Sequence, residues 1–223
     1  MARKALIIYA SYSGNTEKVA VRFKETFEKH GWEVTLFKAE KKAEHVLDPP
    51  FDPQQYDVLC AGSGLRAHLP YNELLNVLRH FRVGGDPRFV LRMRDEDIPY
   101  ITTPLPERAP WSQEGLEKHH RKIVLGPDSR RAIIFATYSG YEFGPWEAQP
   151  AMDYMALEVA HFGFRTVGTF ACPGKFVDAP MLQTFHGDIR DRPNEKDLLR
   201  AELFVEEKLE ELEDRGPLVD RRG

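Results

Sequence analysis

The chain has 223 residues, 42% hydrophobic and 30% charged, which predicts one soluble globular domain over 1–214 with length enough for a substantial core. Its 31 basic and 35 acidic side chains leave a net charge of −4, without the basic excess of nucleic-acid binders. Two cysteines, Cys60 and Cys172, are too few for a disulfide framework, a zinc site or an iron–sulfur cluster, and no apolar stretch approaches the roughly 18 residues that span a bilayer. The N-terminal apolar run is too short for a signal peptide, so the cytoplasm is the expected location.

Apolar periodicity sets out alternating strands and helices. Ala5 to Ala10 reads as a first strand; after a hydroxyl-rich turn, Val19, Ala20, Phe23 and Phe27 line one face of a helix that Gly31 is placed to end. Glu33 to Ala39 alternates like a second strand, and Pro49, Pro50 and Pro53 limit the stretch 40–55 to one helical turn at most. Tyr56 to Gly62 is a buried third strand running into Gly-Ser-Gly, and Leu74, Val77, Leu78 and Phe81 mark the helix beyond it. Ala132 to Thr137 forms a fourth strand. Ala148, Met152, Met155, Ala156 and Val159 share one face of a helix closed by Gly163, and Arg165 to Ala171 is a fifth strand. Asn194 caps a last helix over 195–213 with Leu198, Ala201, Val205, Leu209 and Leu212 inward, and a polar tail, 215–223, is expected to be mobile. Five strands with helical crossovers predict an α/β fold: a parallel, doubly wound sheet with helices on both faces.

The turn after the first strand is the most informative segment. It gathers the hydroxyls of Ser11, Ser13 and Thr16, the Asn15 amide and main-chain N–H groups at a helix amino end, where partial positive charge favours an anion. A triphosphate loop needs G-x-x-x-x-G-K-[ST], yet the first lysine here, Lys18, is already inside the helix. A dinucleotide turn needs three glycines, and only Gly14 is present. Many hydroxyls, no cation and no spare glycine suit one terminal phosphate, such as that of flavin mononucleotide (FMN). A serine-rich turn that merely caps a helix has the same composition; its place directly after an N-terminal strand favours phosphate.

Here the chain resembles the flavodoxin family, whose first loop reads [ST]-x-[ST]-G-x-T and wraps the FMN phosphate. Ser11, Tyr12, Ser13, Gly14, Asn15 and Thr16 match it at every defined position. The segment Arg192-Pro-Asn-Glu-Lys-Asp-Leu, with Ala201 and Phe204, is also similar to the final helix of many flavodoxin-like proteins. The resemblance implies strand order 2-1-3-4-5 and a ligand beyond the carboxyl ends of the strands, where loops 11–16, 62–71 and 137–146 meet.

In 62–71, Ser63, Gly64, Leu65 and Arg66 are candidate flavin contacts: glycines let the backbone approach the ring's polar edge, and Leu65, Leu69 or Tyr71 covers a face. An ordinary strand exit explains Gly62 and Gly64 as well. The third loop offers Thr137, Tyr138, Ser139, Gly140 and Tyr141, with Phe143 and Trp146 beyond. Tyr138 or Tyr141 resembles the family's ring-stacking position, while Tyr12, Phe143 and Trp146 suit the wall of a substrate cleft. Cys172 ends the fifth strand on this side, and packing is the simpler expectation for it than redox chemistry.

Residues 82–130, with six prolines, depart from a minimal flavodoxin. An insertion of that length is usually functional or an interface, and a homodimer contact ranks slightly ahead of a lid or a docking arm. The expected function is that of an FMN-binding redox protein, either an electron carrier with a redox partner protein or a reductase of quinones or flavins served by NAD(P)H. The charge balance lacks the strong acidity of typical flavodoxins. A non-redox protein that keeps the fold and its anion site is the alternative of another class.

Overall fold

A computed structural model describes residues 3–40, 49–82, 130–140, 143–176 and 188–213. The insertion expected at 82–130 falls almost wholly outside these residues, as do Tyr141 and the tail.

The order of elements is β1 (Lys4–Ala10), α1 (Asn15–Lys29), β2 (Glu33–Lys38), β3 (Val58–Arg66), β4 (Leu69–Pro70), α2 (Asn72–Arg82), β5 (Arg130–Tyr138), α3 (Gln149–Ala160), β6 (Phe164–Pro173) and α4 (Glu195–Glu213). Five long strands form one parallel sheet in the spatial order β2-β1-β3-β5-β6. That is the order 2-1-3-4-5 expected of them. The sixth strand, β4, is a two-residue addition that pairs antiparallel with the end of β3.

Strand β1 shows why its apolar run is continuous: helices cover both faces of the sheet. Leu6, Ile8 and Ala10 point into one core with Leu59, Ala61, Ile134, Leu74, Leu78 and Met155, beneath α2 and α3. Ala5, Ile7 and Tyr9 point into the other, with Cys60, Phe135, Phe23, Phe27 and Val205, beneath α1 and α4. Helix α4 begins at a reciprocal cap: Asn194 Oδ1 accepts the Lys196 N–H at 3.1 Å, and the Asp197 carboxylate accepts the Asn194 N–H at 3.0 Å.

The chain crosses from β1 through α1 to β2 on one side, then returns to β3 on the other side of β1. Register places Ala10 beside Ser63 and Gly64 beside Thr137, so β1, β3 and β5 release their loops side by side. Ligands of open α/β sheets bind at such a point.

Candidate functional site

The first loop joins Ala10 to Asn15. Gly14 precedes α1 with φ +79°, a left-handed conformation natural to glycine, and no side chain caps the helix there. The first N–H groups of a helix have no acceptor inside it, so this end offers donors to an external anion. Ser11 is 9% exposed, and its Oγ is buried without a hydrogen-bond partner among the described residues; so is Asn15 Oδ1. An unsatisfied buried polar atom costs about 1–3 kcal/mol, which a bound phosphate or hydroxyl relieves. Ser13 is exposed.

Two other expected donors are already engaged. Asn15 Nδ2 donates to the Lys175 carbonyl at 2.9 Å, and Thr16 Oγ1 lies 2.8 Å from Thr137 Oγ1. Both tie the loop to neighbouring strand ends. Glu17, the acidic residue of the first turn, is held by Lys38 at 2.9 Å and accepts the Tyr9 hydroxyl at 3.0 Å. The Lys38 ammonium keeps the Glu17 carboxyl below its ordinary range and offsets the charge that would otherwise repel an anion.

The second loop differs from the reading of an open glycine segment. Strand β3 continues to Arg66, so Ser63, Gly64, Leu65 and Arg66 belong to it, and Leu65 and Arg66 pair with Pro70 and Leu69 in a tight hairpin. Ala67 and His68 turn the chain with φ +49° and +63°. This is the sign pattern of a type I′ turn, here without the asparagine or glycine it favours. The Ser63 hydroxyl is consumed inside the hairpin: it donates to the Gly64 carbonyl at 2.6 Å and accepts the Tyr71 N–H at 2.9 Å. Arg66, His68 and Leu69 are exposed.

Tyr12 joins the first two loops. Its ring stacks on Tyr71 with centroids 4.1 Å apart, and its hydroxyl donates to Glu73 Oε2 at 2.5 Å. Partial burial and then the Glu73 contact push the Tyr12 hydroxyl up to about 12.

In the third loop, Thr137 and Tyr138 are the last residues of β5. The Tyr138 ring is buried in the core beneath α3, against Gly140, rather than standing at the rim. Ser139 is half-buried. Phe143 and Trp146 carry the exposed rings, at 68% and 81%, and the buried Glu147 carboxylate steadies the turn by accepting the Phe143 N–H at 3.1 Å. Half of the eight large exposed apolar side chains among the described residues, namely Tyr12, Leu69, Phe143 and Trp146, therefore belong to these three loops.

Sequence reasoning passed over a fourth segment. The Gly174 backbone approaches the first loop so closely that a Cβ there would sit 2.7 Å from Asn15 Nδ2. Lys175 N–H bonds to the Arg192 carbonyl at 2.9 Å, and the Arg192 guanidinium pairs with Asp197. Pro-Gly at the end of β6 was the available signal. Cys172 beside it is buried, and burial followed by the Asp197 charge pushes its thiol up to about 12, away from thiolate chemistry.

The arrangement matches that of a known fold. Among solved structures the chain is similar to oxidised flavodoxin 1 from Bacillus cereus, with 14% identity, a TM-score of 0.52, and 93% of this chain and 97% of that one covered. The fold is flavodoxin-like. A flavodoxin from Streptococcus pneumoniae TIGR4 gives 13% identity and a TM-score of 0.50 over 93% of this chain and 99% of that one. The WrbA-like flavodoxin from Agrobacterium tumefaciens gives 11% and 0.50 over 96% and 100%. At these identities the likeness concerns the fold. No protein-family model matches the sequence, and comparison with curated proteins gives no match. Among the described residues no helix is long and apolar enough to cross a membrane, and no group of three or more His, Cys, Asp or Glu is placed to hold a metal ion.

Proposed function

We propose that this chain is an FMN-binding redox protein. The observation that carries the reading is the first loop: an uncapped helix amino end with Ser11 Oγ, which has no hydrogen-bond partner among the described residues, beside it. A phosphate ester satisfies both, and no lysine or arginine of the loop is needed. Ser11, Ser13 and the amides around Gly14 and Asn15 would hold the phosphate, with Thr16 as a hydroxyl in the first helical turn. The ring would lie between the β3–β4 hairpin and the loop after Tyr138. When bound, FMN supplies reversible transfer of one or two electrons. The polypeptide orients it, and the exposed Leu69, Phe143 and Trp146 line its apolar approach.

That rim favours reduction of a small flat substrate, such as a quinone or a free flavin, over carriage alone. A carrier leaves the flavin edge open to a redox partner protein; apolar rings standing out from the loops instead give a planar molecule a surface to stack on. NAD(P)H, which has no binding fingerprint in the chain, would then dock directly over the flavin.

Titrating the purified protein with FMN tests the reading. Saturable quenching of flavin fluorescence, with a yellow protein recovered after gel filtration, is expected. A colourless protein after exposure to excess FMN overturns it in favour of a non-redox anion-binding module. Rapid mixing of the loaded protein with NADH or NADPH then separates the two redox roles: direct bleaching marks a reductase, and bleaching only through a partner reductase marks a carrier.

A further inference from the structure

The three loops over the carboxyl ends of the strands carry very little charge. Among the described residues of 11–16, 62–71 and 137–146, Arg66 and His68 are the basic side chains, and none is acidic. The carboxylates just outside these loops are engaged elsewhere: Glu73 accepts the Tyr12 hydroxyl, Glu147 accepts the Phe143 N–H, and Glu17 is paired with Lys38. Arg66 is exposed and forms no ion pair among the described residues. Burial and Glu73 raise the Tyr12 hydroxyl while the Arg66 charge acts against them, so the guanidinium stands on the first-loop side of the hairpin.

The hairpin sorts its side chains by face. Leu65 pairs with Pro70 and Arg66 with Leu69, and directly opposed residues of an antiparallel pair share a face. Leu65 packs against the core beneath α2 and α3, and Pro70 is buried. Arg66 and Leu69 therefore stand together on the outward face, with Cβ atoms about 5 Å apart. Strand β4 packs against α3, and α3 continues directly from the turn that carries Phe143 and Trp146. One fixed cation thus adjoins an apolar side chain at the edge of a rim that also bears two exposed rings.

We propose that Arg66 selects the substrate of this site, taking the carboxylate or other oxyanion borne on a planar aromatic ring that lies against Leu69, Phe143 and Trp146. The inference rests on the redox reading for what becomes of that ring, and it narrows the substrate to acidic planar molecules. A guanidinium is flat and weakly hydrated, so it binds an oxyanion through a forked pair of hydrogen bonds while a ring stacks alongside. A neutral ring gains the apolar contact alone.

The test is a titration of the isotope-labelled full chain, incubated with excess FMN, with naphthoate and, in a parallel arm, with its neutral analogue naphthamide. Backbone amide resonances of Arg66, Leu69, Phe143 and Trp146 report the binding. Both ligands should give saturable shifts there, with naphthoate about fivefold tighter at low salt, the upper range for an exposed ion pair. That preference should vanish in Arg66→Gln, and in the parent at about 1 M salt, where the screening length is about 3 Å. Equal affinities at low salt, a preference that survives in Arg66→Gln, or naphthoate shifts confined to residues 11–16 overturn the proposal. So does an equal preference for AMP over adenosine, which would give Arg66 to the phosphate of a nucleotide donor. A flavin-loaded chain without the naphthoate preference ends this inference and leaves the redox reading standing. A chain that stays colourless ends the redox reading, and the same amides still report whether Arg66 selects an acidic ring.

Discussion

The hydroxyls of Thr16 and Thr137 meet at 2.8 Å in a buried bridge between the first turn of α1 and the end of β5. Either hydroxyl can donate and the other accept, so the single bond gives each a partner away from water. Replacing one by valine strands its partner. Thr16→Val or Thr137→Val alone should therefore cost about 1–3 kcal/mol, while the double variant, with two apolar groups of matched shape, should recover most of that loss. Urea unfolding of the four proteins gives the coupling. Strictly additive losses would show that the two hydroxyls do not depend on each other.

Ser11 separates ligand binding from folding. Its Oγ is buried without a partner among the described residues, so in the ligand-free chain the hydroxyl is a burden. Ser11→Ala should leave the apo protein as stable or more stable, yet weaken FMN binding by about tenfold, the worth of one hydrogen bond to a charged group. Thermal melts without flavin and a fluorescence titration measure the two effects separately. A variant less stable without FMN and unaltered in binding it would remove Ser11 from the phosphate site.

Most of the fold was legible because buried parallel strands and one-sided helices write themselves as apolar runs and 3.6-residue periods. Helix α4 runs over 195–213 as its cap at Asn194 indicates, and β1 lies on its apolar run. The end of β3 was not legible. Gly62 and Gly64 look like a strand exit, whereas a Cβ at Gly62 would lie 2.0 Å from the Phe135 ring and one at Gly64 2.7 Å from the Tyr71 ring. Those glycines make room for rings from elsewhere in the chain, which no local pattern announces. The same holds for the site. The donors of the first loop could be listed from sequence, but not that Asn15 and Thr16 spend theirs on Lys175 and Thr137. The Tyr12–Glu73 contact spans 61 positions and leaves no periodic trace.

That contact has a pH signature. Tyr12 titrates ordinarily at 10.0, and in the folded chain partial burial and Glu73 raise it to about 12. A raised phenol contributes stability that is complete below the unfolded value and is lost as pH climbs from 10.0 toward about 12. Subtracting the tyrosinate absorbance titration of Tyr12→Phe from that of the parent should reveal one group with a midpoint near 12, and Glu73→Gln should move it down. A midpoint at the ordinary value would mean that the hydroxyl does not engage Glu73 in solution.

The hairpin tip offers a prediction of opposite sign. Ala67 and His68 both hold positive φ, at +49° and +63°, where a Cβ crowds the following carbonyl. Two consecutive non-glycine residues in this region store strain, and asparagine followed by glycine occupies the same turn without it. Ala67→Asn with His68→Gly should therefore stabilise the chain by about 1 kcal/mol in urea unfolding, since the tip is exposed and loses no core contact. The turn stands beside the proposed ring slot, so FMN affinity is a second readout. If strain at the tip only connects two short strands, affinity stays level while stability rises. If the imidazole of His68 or the pose it imposes on the turn takes part in holding the ring, the more stable variant binds FMN less tightly, and His68→Gly alone carries that loss.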